Sequence, residues 1–282
     1  MKLTVEEFRN WKNKKITLLG MSGVGKTYLS GMLRNHQWFH YSGDYRIGTR
    51  YLDESILDLI KQQAMQVPFL KDLLRRDWIS IQNNIKVDDL GPVLSFVGKL
   101  GDPERGGVPL EEFNRRQSMY RDAEIAAMYD VPDFIQKAQN IYGYPHFVND
   151  VGGSLCELEE PSVIDLLVQH TLILYIKVTD PAEEEELIKR AQSAPKPLYY
   201  RPAFLTEYLG AYLQENNLEY AAQIEPDHFT RWVFPHLFRS RIPRYDAIAE
   251  PHGYTVTSKE VASVRDEKDF LSLLETAIER KG

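Results

Sequence analysis

The stretch KITLLGMSGVGKTYLSGMLR, residues 15–34, decides the fold. Its first five residues form a short run with three apolar side chains, and the β-branched residues Ile16 and Thr17 favour a buried strand. Residues 20–27 then match the pattern G-x-x-x-x-G-K-T, the Walker A phosphate-binding loop. Apolar residues at helical spacing follow. Strand, glycine-rich loop and helix therefore occur in the order that phosphate binding requires.

The residue types in this loop suit a nucleotide. Glycine lets the backbone approach phosphates closely, and the loop N–H groups together with the helix N-terminus form a concave anion site. Lys26 would neutralise the β- and γ-phosphates, and the Thr27 hydroxyl would ligate Mg²⁺. We therefore expect ATP and Mg²⁺ to be the cofactors. The residues predicted to bind nucleotide are Gly20, Met21, Ser22, Gly23, Val24, Gly25, Lys26, Thr27 and Tyr28.

Composition excludes several other classes of protein. The 282 residues include 34 Lys+Arg and 41 Asp+Glu, so the net charge of −7 disfavours broad binding to nucleic acid. The single cysteine, Cys156, cannot form a disulfide or a cysteine-based zinc site within one chain. No stretch approaches about 18 consecutive apolar residues, and the N-terminus lacks the apolar region of a secretion signal. We expect a cytoplasmic protein that does not cross a membrane.

Two aspartates follow apolar or aromatic runs and are candidate site residues. Asp150 ends the stretch PHFVND and precedes two glycines, which resembles the Walker B strand that completes a Mg²⁺ site with Thr27. Asp44 follows a predicted strand at residues 38–41. Ligands of open α/β sheets bind where parallel strands end. The sequence leaves open which aspartate holds the metal, and a turn aspartate or a helix cap is the structural alternative for each.

Four arginines are candidates for binding the group that accepts a phosphate. Arg46 and Arg50 share a face if their segment is helical, and paired guanidinium groups suit an anionic acceptor. Arg115 and Arg116, on a helix predicted at residues 111–128, could serve the same purpose. The alternative for all four is a solvated basic surface.

Together these features resemble the P-loop kinases of the shikimate kinase and nucleoside/nucleotide kinase type. The Walker A loop carries most of the resemblance, and the strand end at Asp44 adds to it. An apolar strand at residues 172–178, an Asp-Pro turn and an acidic helix are similar to the segment that leads into the mobile lid of these kinases. The resemblance implies an α/β fold: the P-loop NTPase three-layer αβα sandwich, with a mainly parallel sheet and a helical insertion.

The same resemblance implies roles for particular residues. Asp44 would face the acceptor hydroxyl, and a lid at about residues 189–205 would bring Arg190 and Arg201 to the transferring phosphoryl group. Lys196 stands where these kinases have an arginine. With Lys26, the predicted catalytic residues are thus Asp44, Arg190 and Arg201. Near the C-terminus we expect residues 251–253 to interrupt the regular secondary structure. A strand at 254–257 and an amphipathic closing helix should follow.

The chain is longer than small kinases of this type, and the excess lies at about residues 52–140. We expect a single domain, 1–282, whose insertion forms helices at 52–66, 72–79, 111–128 and 131–138. Residues 229–241 interleave aromatic residues with arginines. Such a segment can bind single-stranded nucleic acid, but a core helix whose arginines reach solvent is favoured.

These observations predict a kinase that transfers the γ-phosphoryl group of ATP to a hydroxyl or phosphate of a small metabolite, nucleoside or nucleotide. The acceptor itself stays unidentified and is expected to be anionic. One alternative is a kinase that acts on a modified base in DNA. Another is a P-loop ATPase that works as a switch or partner-binding module, in which Asn149 would position the attacking water.

Overall fold

A five-stranded parallel sheet forms the centre of the computed structural model, which describes residues 3–281. The strands are β1 (Lys15–Leu19), β2 (Trp38–Ser42), β3 (His146–Asp150), β4 (Leu172–Lys177) and β5 (Gly253–Thr257). Their spatial order is β2-β3-β1-β4-β5. Leu18 in the central strand β1 is in register with Asp150 on one side and Leu174 on the other. Because the strands are parallel, the loops at their carboxyl ends share one edge of the sheet.

Helices cover the sheet, and successive side chains of β1 and β4 are buried because both faces are covered. This is the three-layer αβα sandwich of P-loop NTPases, so the predicted fold class is confirmed.

None of the helices within residues 3–281 combines the length and apolar character needed to cross a membrane. The helices are α1 (Val5–Asn10), α2 (Lys26–Arg34), α3 (Gly43–Arg46), α4 (Asp53–Ala64), α5 (Pro68–Arg75), α6 (Gly91–Val97), α7 (Leu110–Tyr129), α8 (Val131–Asn140), α9 (Pro161–His170), α10 (Pro181–Ser193), α11 (Pro202–Glu215), α12 (Pro226–His252), α13 (Ser258–Ala262) and α14 (Glu267–Glu279).

The helices α4 to α8 occupy the chain between β2 and β3, where the insertion is predicted. A π-helical turn, Ile47–Tyr51, joins α3 to α4, and the predicted helices at 52–66, 111–128 and 131–138 are observed as α4, α7 and α8. The helix predicted at 72–79 is displaced toward the N-terminus as α5. Pro68 favours the first turn of a helix, and Asp77, with a φ of 54°, is in the left-handed conformation that follows helix ends.

The interruption predicted at residues 251–253 and the strand predicted at 254–257 are both observed. Helix α12 continues through Pro235, Pro243 and Pro251, and it ends where Gly253 begins β5. Its buried residues are largely apolar and aromatic, and they tie the helix to the core along its length. Packing therefore outweighs the cost of proline in a helix interior. Residues 229–241 form a core helix, as favoured from the sequence.

A second hydrophobic core lies beside the main one around the sheet. It joins Phe113 from α7, Phe204 from α11 and Phe229 from α12, together with Tyr200 from the segment between α10 and α11. The insertion and the predicted lid thus share buried side chains. This packing holds both regions close to the carboxyl edge of the sheet.

Candidate active site

The loop between β1 and α2 has the conformation that a phosphate-binding loop needs. Gly20, Gly23 and Gly25 have φ angles of 148°, 90° and 106°, a region that favours glycine. A Cβ on Gly20 would lie 2.7 Å from the Ile176 carbonyl oxygen, so a larger residue would collide with β4. Gly25 is also the N-cap of α2, whose first N–H groups therefore point toward the loop.

Lys26 places a buried positive charge under this loop. Its Nζ donates hydrogen bonds to the carbonyl oxygens of Gly20, at 2.7 Å, and Met21, at 2.9 Å. Burial lowers the pKa of Lys26, while the charges of Asp150 and Asp44 act in the opposite direction. The ammonium group is thus positioned by the backbone and stabilised by two carboxylates, as a phosphate-binding lysine requires.

Thr27 and Asp150, the two predicted metal-binding residues, lie together. The Thr27 hydroxyl donates to Asp150 Oδ2 at 3.1 Å, because β1 and β3 are neighbouring strands and Asp150 ends β3. His40 from β2 lies on the other side, with Nε2 3.7 Å from the same Asp150 oxygen. No motif in the sequence marks His40 as a site residue. A hydroxyl beside a carboxylate offers the oxygen ligands that Mg²⁺ prefers.

A cavity of about 580 Å³ opens over the loop. Its walls come from the loop, from the ends of β2 and β3, from α10 and the segment after it, and from α12. The sequence-predicted residues that line it are Ser22, Gly23, Gly25, Lys26, Thr27, Tyr28, Asp44, Asp150 and Arg190. The fold therefore brings predicted residues as far apart in the sequence as Ser22 and Arg190 into one site.

Arg190 crosses the phosphate-binding loop from α10. Its Nη2 donates to the Gly23 carbonyl oxygen at 3.4 Å, and a Cβ on Gly23 would lie 2.5 Å from the same nitrogen. Lys196, from the segment after α10, also lines the cavity. Both cations face the space above the loop.

Arg201 does not line this cavity, although the resemblance to P-loop kinases implies a lid role for it beside Arg190. Its Nε is 3.9 Å from Glu157 Oε2, and its Nη1 is 3.9 Å from Glu159 Oε1. The segment between Arg190 and Arg201 is tied down by hydrogen bonds. Gln117 accepts from the Tyr200 N–H at 2.8 Å, and Arg241 donates to the Tyr199 carbonyl at 2.8 Å.

Asp44 adds a second carboxylate to the cavity. It lies at the start of α3, directly after β2, and accepts a hydrogen bond from the Tyr120 hydroxyl at 3.3 Å. Desolvation raises the pKa of Asp44, and the charge of Asp150 raises it further, whereas Lys26 lowers it. A carboxylate with a raised pKa beside a phosphate site is suited to general base catalysis.

Two buried residues near Asp44 carry no recognisable signal in the sequence. Glu124 on α7 has no exposed surface, and burial raises its pKa to about 8. Arg241 on α12 donates to the carbonyl oxygens of Gly153, at 2.9 Å, and Tyr199, at 2.8 Å. Neither residue stands in a recognisable motif, so only the folded chain reveals their proximity to the site.

The four arginines predicted to bind the acceptor are not among the described residues that line the cavity. Arg46 donates through Nε to Asp130 at 2.7 Å, and Arg50 is exposed. Arg115 and Arg116 both donate to Glu112, each at 2.7 Å. Three of the four thus pair with carboxylates away from the phosphate-binding loop, and we do not include the four in the site proposed below.

Asn149 also lies away from the cavity. It is fully buried, and its Nδ2 donates to Thr17 Oγ1 at 3.2 Å in the centre of the sheet. Alternation along β3 explains this placement, since the side chains of Asn149 and Asp150 point to opposite faces.

Comparison with solved structures gives a distant likeness in fold. No family model matches the chain, and no curated protein matches it. The shikimate kinase from Bacteroides thetaiotaomicron, known from a crystal structure at 1.7 Å resolution, is similar to it over 95% of each chain, with 15% identity and a TM-score of 0.38. The assignment to the P-loop NTPase fold rests on the strand order and the loop, and not on this likeness.

Proposed function

We propose that this protein is an ATP-dependent phosphotransferase, a kinase that transfers the γ-phosphoryl group of ATP to a hydroxyl or phosphate of a small acceptor. The observation that carries the proposal is the second carboxylate. Asp150 pairs with Thr27, while Asp44 lies in the same cavity and is held by Tyr120. An acceptor hydroxyl requires a carboxylate partner that does not also bind the metal, and Asp44 would be that partner.

The residues present fit ATP and Mg²⁺. Three glycines with positive φ, the buried Lys26 and the N-terminus of α2 form a cradle for the phosphates. Thr27 and Asp150 would hold Mg²⁺, directly or through water. When bound, the ion neutralises developing charge on the phosphate oxygens. Arg190 and Lys196 supply further positive charge above the loop.

Asp44 would act on the acceptor. Its carboxylate accepts a hydrogen bond from the acceptor hydroxyl, which orients the oxygen toward the γ-phosphorus. As the new P–O bond forms and the bond to the leaving ADP breaks, the hydroxyl proton passes to Asp44. Because phosphoryl transfer depends mainly on positioning and charge, the expected contribution of this proton transfer is about 10²–10⁴-fold.

The two alternatives have less support. In an ATPase, Asn149 was the candidate for positioning water, and it lies in the core of the sheet. In a kinase acting on DNA bases, residues 229–241 would contact the strand. Most of the apolar and aromatic residues of that segment are buried, including Phe229 and Phe238. We therefore favour a small metabolite, nucleoside or nucleotide as the acceptor. The cytoplasmic location stays a prediction from the sequence.

The proposal is tested by measuring ATP turnover with and without a panel of nucleosides, nucleotides, hydroxy acids and DNA containing hydroxymethyl bases. We expect one class of small acceptor to stimulate turnover and to receive phosphate. Turnover that releases only free phosphate and is unchanged by every acceptor would overturn the kinase assignment.

The variants Asp44→Asn and Asp150→Asn then distinguish the roles of the two carboxylates. We expect it to lower transfer by about 10²-fold or more while ATP affinity changes by less than about threefold. Asp150→Asn should instead weaken binding of ATP in the presence of Mg²⁺. Asp58→Asn, an exposed position on α4, is the matched control. Loss of ATP binding in Asp44→Asn would move Asp44 from the acceptor to the metal.

A further inference from the structure

Glu124 is an acidic residue buried beneath the cavity, and the role proposed above for Asp44 does not use it. Its Oε2 accepts a hydrogen bond from Ser154 Oγ at 2.6 Å. Its Oε1 has no hydrogen-bond partner among residues 3–281. An ionised carboxylate with one unpaired buried oxygen is costly, because nothing replaces the water it has lost. The position therefore favours the neutral acid.

Gly152 lies between Glu124 and Asp44. A Cβ on Gly152 would be 2.8 Å from Glu124 Oε1 and 2.9 Å from Asp44 Oδ1. Both oxygens thus face the same backbone carbon, and no larger side chain fits between them. Two carboxyl groups this close in a desolvated place do not both ionise at neutral pH, so one of them keeps its proton.

The surrounding charges indicate which carboxyl group keeps the proton. Desolvation raises the pKa of Glu124, and Asp44 raises it further, whereas Ser154, Arg241 and Lys26 lower it, with a net result of about 8. Asp44 lines the open cavity and accepts a hydrogen bond from the Tyr120 hydroxyl, whereas Glu124 has no exposed surface, so the proton stays on Glu124. Cys156, Tyr199 and Tyr120 also face Glu124, and all three are neutral near pH 8. Burial raises the pKa of Cys156 and of Tyr199 to about 12, and it raises the pKa of Tyr120 well above its usual value.

We propose that Glu124 is a positioning residue for phosphoryl transfer: as a neutral acid it leaves Asp44 the single negative charge facing the acceptor, and its ionisation inhibits transfer. This inference rests on the proposed kinase function. When Glu124 loses its proton, a second negative charge lies next to Asp44 and repels the transferring phosphoryl group. The step becomes slower, while the ATP site around Lys26 keeps its contacts.

The kinetic test is the pH dependence of kcat. We expect kcat of the wild-type protein to fall about tenfold per pH unit above about pH 8. In Glu124→Gln this alkaline fall should be absent, and kcat at pH 7 should decrease by no more than about threefold, because the amide reproduces the neutral group. KM for ATP should stay similar in both proteins. Thermal unfolding checks that the variant is folded.

Ser154→Ala provides a graded variant. The Ser154 hydrogen bond favours the ionised form of Glu124, so its loss should move the alkaline fall to higher pH. The inference is overturned if Glu124→Gln keeps the alkaline fall, or if it loses as much activity at pH 7 as Asp44→Asn does. The second result would mean that Glu124 acts as an anion.

A measurement that needs no turnover separates this inference from the proposed function. In the full chain with ¹³C-labelled Asp and Glu carboxyl groups, NMR should show one Glu signal that titrates above about pH 7 and is missing from Glu124→Gln. A midpoint below about pH 7 would overturn the inference. If no acceptor stimulates turnover, the kinase proposal fails and this titration still decides the state of Glu124.

Discussion

At the residue scale, Lys26 provides the clearest test of the phosphate-binding loop. We expect Lys26→Met to raise the Kd for ATP by about tenfold or more, because a charge-assisted contact to phosphate contributes about 1.5–3 kcal/mol. Isothermal titration calorimetry measures the change. Lys189→Met, at an exposed position on α10 that pairs only with Glu185 among the ion pairs of the described chain, is the matched control.

The same variant separates binding from stability. Burial lowers the pKa of Lys26, which means that the charged form is costly in the free protein. Replacing it with methionine should therefore leave the Tm equal or raise it while ATP binding is lost. A lower Tm with unchanged ATP affinity would show that Lys26 has a structural role.

The site residues that could be predicted from the sequence are those with local signals. Lys26 and Thr27 belong to the Walker A pattern, and Asp44 and Asp150 follow runs typical of strands. Glu124 carries no such signal, because its environment comes from Ser154 and Gly152, which lie 28 or more positions away (152 − 124). Desolvation and pairing of this kind arise only when distant segments fold together.

At the element scale, a proline in α12 leaves a carbonyl group that another helix satisfies. Pro235 has no N–H, so the Arg231 carbonyl lacks its usual partner within the helix. That carbonyl accepts from Gln192 Nε2 on α10 at 3.0 Å, and Arg231 Nε donates to the Gln192 carbonyl oxygen at 3.0 Å. The carbonyl group that Pro235 leaves unpaired within α12 thus forms part of the contact between α12 and α10, both of which border the cavity.

A double-mutant cycle tests this arrangement. Gln192→Leu should lower the free energy of unfolding by about 1–3 kcal/mol, since the Arg231 carbonyl then has no donor. In the Pro235→Ala background the cost should be smaller, because the new N–H of residue 235 can bond that carbonyl. Urea denaturation measures all four proteins. Equal costs in both backgrounds would show that the hydrogen bond does not compensate for the proline.

Elements with a strong periodic pattern were predicted well from the sequence, whereas those governed by tertiary packing were not. The strands β1 and β4 are nearly continuous apolar runs between clear turns, and both lie where predicted. The sequence did not predict that α12 is one continuous helix, because packing carries it through Pro235 and Pro243; it ends within the interruption predicted at residues 251–253.

At the scale of the whole molecule, the cavity joins segments that are far apart in the sequence. Its lining comes from α2, the ends of β2 and β3, α10 and α12. The second core, with Phe113, Phe204 and Phe229, holds the insertion beside the predicted lid. No periodicity or motif pairs these segments, so the sequence could suggest the lid and the insertion but not their contact.

This arrangement predicts that nucleotide binding stabilises the whole fold. A ligand that binds only the folded state adds about 2.7 kcal/mol to the free energy of unfolding at 100 times its Kd. We expect ATP with Mg²⁺ to raise the Tm, and ATP with EDTA to raise it less. In Asp150→Asn the increment from Mg²⁺ should disappear, because Thr27 loses its carboxylate partner, while the increment from ATP alone remains. An equal response to Mg²⁺ in Asp150→Asn and wild-type protein would place the metal on other residues, and the comparison with Asp44→Asn would then show whether it lies on Asp44.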